Sequence, residues 1–146
     1  MKTVWFDSTF GYPWVTALVG LFLMRRDRQP FLRHIFEVSK EGEADDQWIV
    51  KINGGERIVI SGDQGRTKPR LPTVCKQQHI THIILTPHVH RMQKFERARA
   101  IIVVWPQILE TFTAPPGSRF QIGRAKSDYI LTAEDTHGRP RKHTKS

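Results

Sequence analysis

Apolar residues come in two patterns along this chain: short unbroken runs, and longer stretches at helical spacing. The unbroken runs are rich in Ile and Val. Thr3-Val4-Trp5-Phe6 leads into Asp7, Arg57-Ile58-Val59-Ile60 leads into Ser61-Gly62-Asp63, and Thr81 to Leu85 leads into a loop, Pro87 to His90. An uninterrupted apolar run marks a strand covered on both faces, as at the centre of a parallel sheet. The pattern predicts strands at 3–7, 57–61 and 81–85, another near the end of 31–38, and a last one at 119–122.

Helical stretches separate them. Gly11 to Arg28 reads as a helix with Pro13 near its first turn and Arg25, Arg26 and Arg28 at its end, where cations are favoured. Its middle, Val15 to Met24, is apolar nearly all round, which predicts burial against the sheet. Asp45 to Ile52 reads as a short helix with an acidic start, closed by Asn53-Gly54-Gly55. Leu71 to Gln78 and Gln93 to Val104 complete the set. Met92, Phe95, Ala98, Ile102 and Trp105 share one side of the latter, although Ile101 to Val104 fits a strand equally well. Pro106 ends, kinks or restarts that element, Gln107 to Phe112 can be helical after it, and Ala114-Pro115-Pro116-Gly117 breaks the chain. Strands alternating with helices, too far apart for hairpins, argue for βαβ units and a mainly parallel sheet.

The 146 residues suffice for one domain with a sizeable core. Charge adds more to the picture: 23 Lys+Arg against 14 Asp+Glu give a net +9, which points to RNA, DNA or an acidic protein as partner, with solubility alone as the plainer reading. Residues 117–146 hold seven Lys+Arg and three Asp+Glu. The expected organisation is a domain over 1–123 and a basic tail over 124–146, partly disordered. In that tail Arg139, Arg141, Lys142 and Lys145 suit electrostatic contact with an RNA backbone or a solvated end. A single cysteine, Cys75, excludes an intrachain disulfide and fits a reducing, cytoplasmic location. Ala17 to Met24 is too short to span a bilayer, and no leader pattern is visible.

The candidate chemistry is a set of carboxylates. Asp7 and Asp63 end two strands of one sheet, and Asp45 and Asp46 open the helix that follows the second strand. Crowded carboxylates repel and are costly to desolvate, so such a set implies a cation. Mg²⁺ or Mn²⁺ prefers these oxygen ligands and can activate a water toward a phosphodiester. Arg66, Thr67 and Lys68 follow Asp63 and suit phosphate oxygens, and Ser61 is positioned to orient Asp63. The plainer reading of Asp45 or Asp46 is a helix N-cap. His79, His82, His88 and His90 match no familiar zinc spacing, and His88 and His90 fall in a strand-exit loop near the acids.

Val4-Trp5-Phe6-Asp7, Asp45-Asp46-Gln47-Trp48-Ile49, Val59-Ile60-Ser61-Gly62-Asp63, Trp105-Pro106-Gln107-Ile108 and Ala114-Pro115-Pro116-Gly117, in this order and spacing, make residues 3–123 resemble the PIN-like nuclease domains. Within them the chain is similar to the short toxin-type domains of prokaryotic toxin–antitoxin pairs. The resemblance implies a PIN-like Rossmannoid α/β/α sandwich in three layers and an Mg²⁺ (or Mn²⁺) site. It also implies endoribonuclease activity on RNA, blocked by a cognate antitoxin protein. Catalytic and metal-holding acids then fall on Asp7, Asp63 and Asp45, with Asp46 as the alternative to Asp45. Where many PIN domains carry a fourth acid, Gln64 and Gly65 follow instead, and Thr67 is the nearest polar substitute. The expected partners are RNA, the antitoxin and a second copy in a homo-oligomer, with no membrane. The alternative reading is a PIN-like RNA-binding or partner-binding module without catalysis.

Overall fold

The computed structural model describes residues 2–23, 30–40, 44–52, 54–62 and 70–134, without the side chains of residues 22, 23, 45, 46 and 70. In chain order the elements are β1 (Lys2–Phe6), α1 (Tyr12–Leu23), β2 (Phe31–His34), a 3-10 turn at Ile35–Glu37, α2 (Asp45–Ile49), β3 (Glu56–Ser61) and α3 (Arg70–Gln77). There follow β4 (Thr81–Leu85), α4 (Pro87–His90), α5 (Lys94–Glu110), a 3-10 turn at Thr111–Thr113, β5 (Arg119–Ala125) and β6 (Asp128–Ala133). The strands form one sheet in the order β2-β1-β3-β4-β5-β6. All neighbours are parallel except β5 and β6, which form an antiparallel hairpin.

Alternate strand residues feed two separate cores. Val4 and Phe6 of β1, Ile58 and Ile60 of β3, Ile83 and Leu85 of β4 and Ile122 of β5 face one way, against Val15 and Leu18 of α1 and Ala100, Ile101, Val104, Trp105 and Ile108 of α5. Trp5 and Val59 face the other way, against Trp48 and Ile49 of α2 and Leu71, Val74 and Cys75 of α3. Register aligns the layers: Val4 lies opposite Ile58, Phe6 opposite Ile60, and Ile60 opposite Ile83. Because both faces are covered, β4 buries all five of its residues, and its sequence shows no polar alternation. Each fully buried Ile or Val contributes roughly 1.5–3 kcal/mol relative to exposure.

Several elements differ from their sequence expectation. β2 lies at the start of 31–38, because His34 caps a 3-10 turn that takes up Ile35 to Glu37. Pro87 to His90 is one helical turn, made by Thr86 as N-cap with Pro87 at its first position. α5 passes through Pro106 without ending. Its inward face is Ala100, Ile101, Val104, Trp105 and Ile108, so Phe95 and Ile102 point outward. The domain does not close at residue 123: β5 continues to Ala125, and β6 pairs back along it from Asp128. Residues 124–134 thus belong to the β5–β6 hairpin, and positions 135–146, the rest of the expected tail, lie outside the described residues. The Arg25, Arg26 and Arg28 cluster also lies outside them.

The crossovers are not all of one hand. α1 and α2 connect strands in opposite directions across the sheet and on opposite faces, so those two connections share a hand. The steps from β3 to β4 and from β4 to β5 run in the same direction, yet α3 covers one face and α5 the other. Those two connections have opposite hands, a departure from the near-uniform hand of parallel crossovers. The exception lays α5 beside α1. Trp14 Nε1 donates to the Lys94 carbonyl at 3.2 Å, joining the starts of the two helices.

Candidate functional site

From β1 the chain steps to β2 on one side, then returns past β1 to β3 on the other. Connections that leave adjacent parallel strands in opposite directions open a crevice at the strands' carboxyl ends. Here that crevice lies between the exits of β1 and β3.

Asp7 is the first residue past β1. Its backbone N–H donates to the Ile60 carbonyl of β3 at 3.2 Å, which ties the two exits together. The residue is only 5% exposed. Asp7 Oδ1 accepts the Thr9 N–H at 3.0 Å, and the Asp7 carbonyl accepts the Phe10 N–H at 3.1 Å. An aspartate bonded to the backbone two residues on is a turn-forming arrangement, and it fixes the carboxylate at the sheet edge. Thr9 then reaches β3, because its Oγ1 accepts the Gly62 N–H at 3.3 Å.

His90 closes the same spot from α4. A Cβ on Gly62 would stand 2.2 Å from His90 Nδ1 and 2.5 Å from Thr9 Cγ2. Only glycine fits there while both neighbours hold their positions. Asp7, Thr9, Gly62 and His90 are thus consecutive contacts across the exits of β1, β3 and β4.

Two buried histidines brace this edge. His34 Nδ1 accepts the Phe36 N–H at 3.1 Å, so the proton sits on Nε2, which donates to the Phe10 carbonyl at 2.5 Å. That bond holds the Asp7 loop from the β2 side. Burial pushes the His34 pKa below its usual value, against smaller opposing contributions from the Phe10 and Asp7 carbonyls and Glu37. In β4, fully buried His82 is pushed down to about 3, first by desolvation and then by the Arg119 charge opposite it in β5. Arg119 is itself paired with Glu134 at 3.0 Å. His82 Nε2 lies 2.9 Å from Ser61 Oγ, and His82 Nδ1 has no partner among the described residues. A buried orphan N–H costs more than a buried orphan lone pair, so the proton belongs on Nε2. His82 then donates to Ser61 and leaves the serine proton for another acceptor.

The sequence-derived candidates fare unequally. Asp7 and Ser61 stand at adjacent strand exits. Asp63, Arg66, Thr67 and Lys68 lie outside the described residues. Asp45 and Asp46 occupy the first two positions of α2 by their backbone, and Ala44 is its N-cap, so neither aspartate caps this helix. Their side chains lie outside the description. Among the described residues no three His, Cys, Asp or Glu side chains form a metal-holding group. No helix among them is long and apolar enough to cross a membrane.

Thr9, Gly62, His82 and His90 are site neighbours that the sequence pattern does not single out as a set. Only the run Ser61-Gly62, a small pair ending an apolar strand, signals the close approach. Comparison with protein-family models, with curated proteins and with solved structures yields no match.

Proposed function

We propose that the chain is a divalent-metal-dependent endoribonuclease of the PIN-like type, acting as the toxin of a toxin–antitoxin pair. The observation that supports this reading best is a nearly buried carboxylate, Asp7, at the crevice where the strand order reverses and β3 hands over to Asp63. A buried carboxylate is costly unless hydrogen bonds or a cation offset its desolvation. Among the described residues the nearby donors are the Asp7 carboxylate, the Thr9 and Ser61 hydroxyls and the His90 imidazole, and the oxygen donors of this set suit Mg²⁺ or Mn²⁺.

In this reading Asp7, Asp63 and Asp45 hold the ion, with Asp46 as the alternative to Asp45. When bound, the ion lowers the pKa of water and offsets charge on a phosphodiester. The chain's own groups do the rest. Ser61, whose hydroxyl His82 holds in place, is the group that would orient Asp63. Arg66, Thr67 and Lys68 seat the RNA backbone, and the surplus of +9 draws the polyanion in.

The test is RNA cleavage by the purified chain with Mg²⁺ or Mn²⁺ and with a chelator. Asp7→Asn keeps an oxygen for the Thr9 N–H and so keeps the turn. Asp7→Asn and Asp63→Asn are each expected to lower cleavage more than roughly 100-fold, beyond the range of groups that only support a metal ligand. Variants that cleave as fast as the parent overturn the assignment.

A further inference from the structure

Phe95 lies on the side of its helix that sequence spacing groups with Trp105, yet it is 77% exposed. It contributes little to the core. Its surroundings are cationic: Arg91 and Lys94 are exposed, and neither has an acidic partner among the described residues. Glu96, the nearest acid in sequence, is taken up by Tyr129 at 2.7 Å and Arg99 at 3.2 Å.

The location is also specific. α4 delivers His90 to the crevice, and Arg91 to Phe95 follow directly. Lys94 Nζ lies 3.9 Å from where a Cβ on Gly11 would stand, four residues beyond Asp7. An uncovered ring flanked in sequence by cations that lack an acidic partner among the described residues, beside a crevice, matches how proteins hold single strands: bases stack on aromatic faces while cations follow the phosphates. A duplex hides the base faces and offers this ring nothing.

We infer that the start of α5 is a single-strand binding platform, on which Phe95 stacks with a base while Arg91 and Lys94 hold flanking phosphates. The choice of RNA as the strand rests on the ribonuclease reading; the platform itself does not need cleavage.

The test uses the full chain in chelator and the anisotropy of a labelled single-stranded RNA of mixed sequence, compared with the same RNA as a duplex. The single strand is expected to bind more tightly. Phe95→Ala should weaken that binding roughly 5- to 100-fold without changing its salt dependence, and Phe95→Trp should restore it. Arg91→Ala and Lys94→Ala should each reduce the slope of log affinity against log salt by about 0.7. Equal affinity for the duplex, an unaffected Phe95→Ala variant, or an unchanged salt slope in both cation variants overturns the inference. Binding in chelator followed by no scission once Mg²⁺ or Mn²⁺ is added leaves the platform standing and counts only against the nuclease reading.

Discussion

His82 is a titratable side chain sealed inside a sheet, and the proton balance there has a defined sign. Its pKa falls from 6.5 to about 3 on folding, so between those values the unfolded chain takes up a proton that the folded chain refuses. Stability is therefore full above the unfolded pKa and declines as pH drops toward the folded one, by about 1.4 kcal/mol per pH unit for one such proton. His34 shifts in the same direction and adds to the decline. Urea midpoints measured from neutral pH into the acid range should fall steeply in the parent. His82→Gln retains a donor for Ser61 but cannot take up the proton, so its midpoint should fall less steeply; equal slopes would show that His82 does not govern the acid limb. The residue scale also shows a limit of sequence reading. His82 and His90 look alike in a list of histidines, but one pairs with Ser61 inside the sheet and the other fills the space above Gly62. The sequence puts His82 in a strand and His90 in a strand-exit loop but names neither one's neighbour, because that depends on which strand exits adjoin.

Among the elements, β1, β3 and β4 are legible because burial on both faces writes itself as unbroken Ile and Val. β6 is not, for a definite reason. Its hairpin turns at Lys126 with φ +54, where Asn or Gly is the usual signal, so Ala125 to Asp128 reads as ordinary polar chain. The single-turn α4 is hidden by its length, whereas α5 is legible over 93–104 and Pro106, which normally stops a helix, hides only its unbroken continuation. β6 has a structural role. Tyr129 hydrogen-bonds Glu96 of α5 at 2.7 Å, and the Glu134 N–H donates to the Arg119 carbonyl at 2.9 Å. A chain ending at residue 123 should therefore melt several degrees below the full chain, or fail to stay soluble as β5 becomes an unpaired edge. An unchanged melting temperature would return residues 124–134 to the status of a tail. The same truncation leaves Asp7, Ser61 and His90 in the sequence, so it separates stability from the chemistry of the site.

At the scale of the whole molecule, the carboxyl edge of the sheet gathers what the sequence scatters. Asp7 comes from the first strand, Ser61 and Gly62 from the third, and His90 from beyond the fourth. The strand alternation foretold that the exits share one edge, and the β1–β3 pairing supplies it. The side on which α5 crosses was not foretold, because both faces of the sheet are apolar and the chain reversed its hand there. That reversal has a mechanical consequence. The Trp14–Lys94 bond spans 80 residues of sequence, so the opening turns of two remote helices are clasped at one point of the rim. An oligonucleotide gripping Phe95 would pull on the Asp7 loop through that clasp. Amide protons at the starts of α1 and α5 should then slow their exchange with solvent together when RNA is added, and Trp14→Phe, which removes the donor, should uncouple the two.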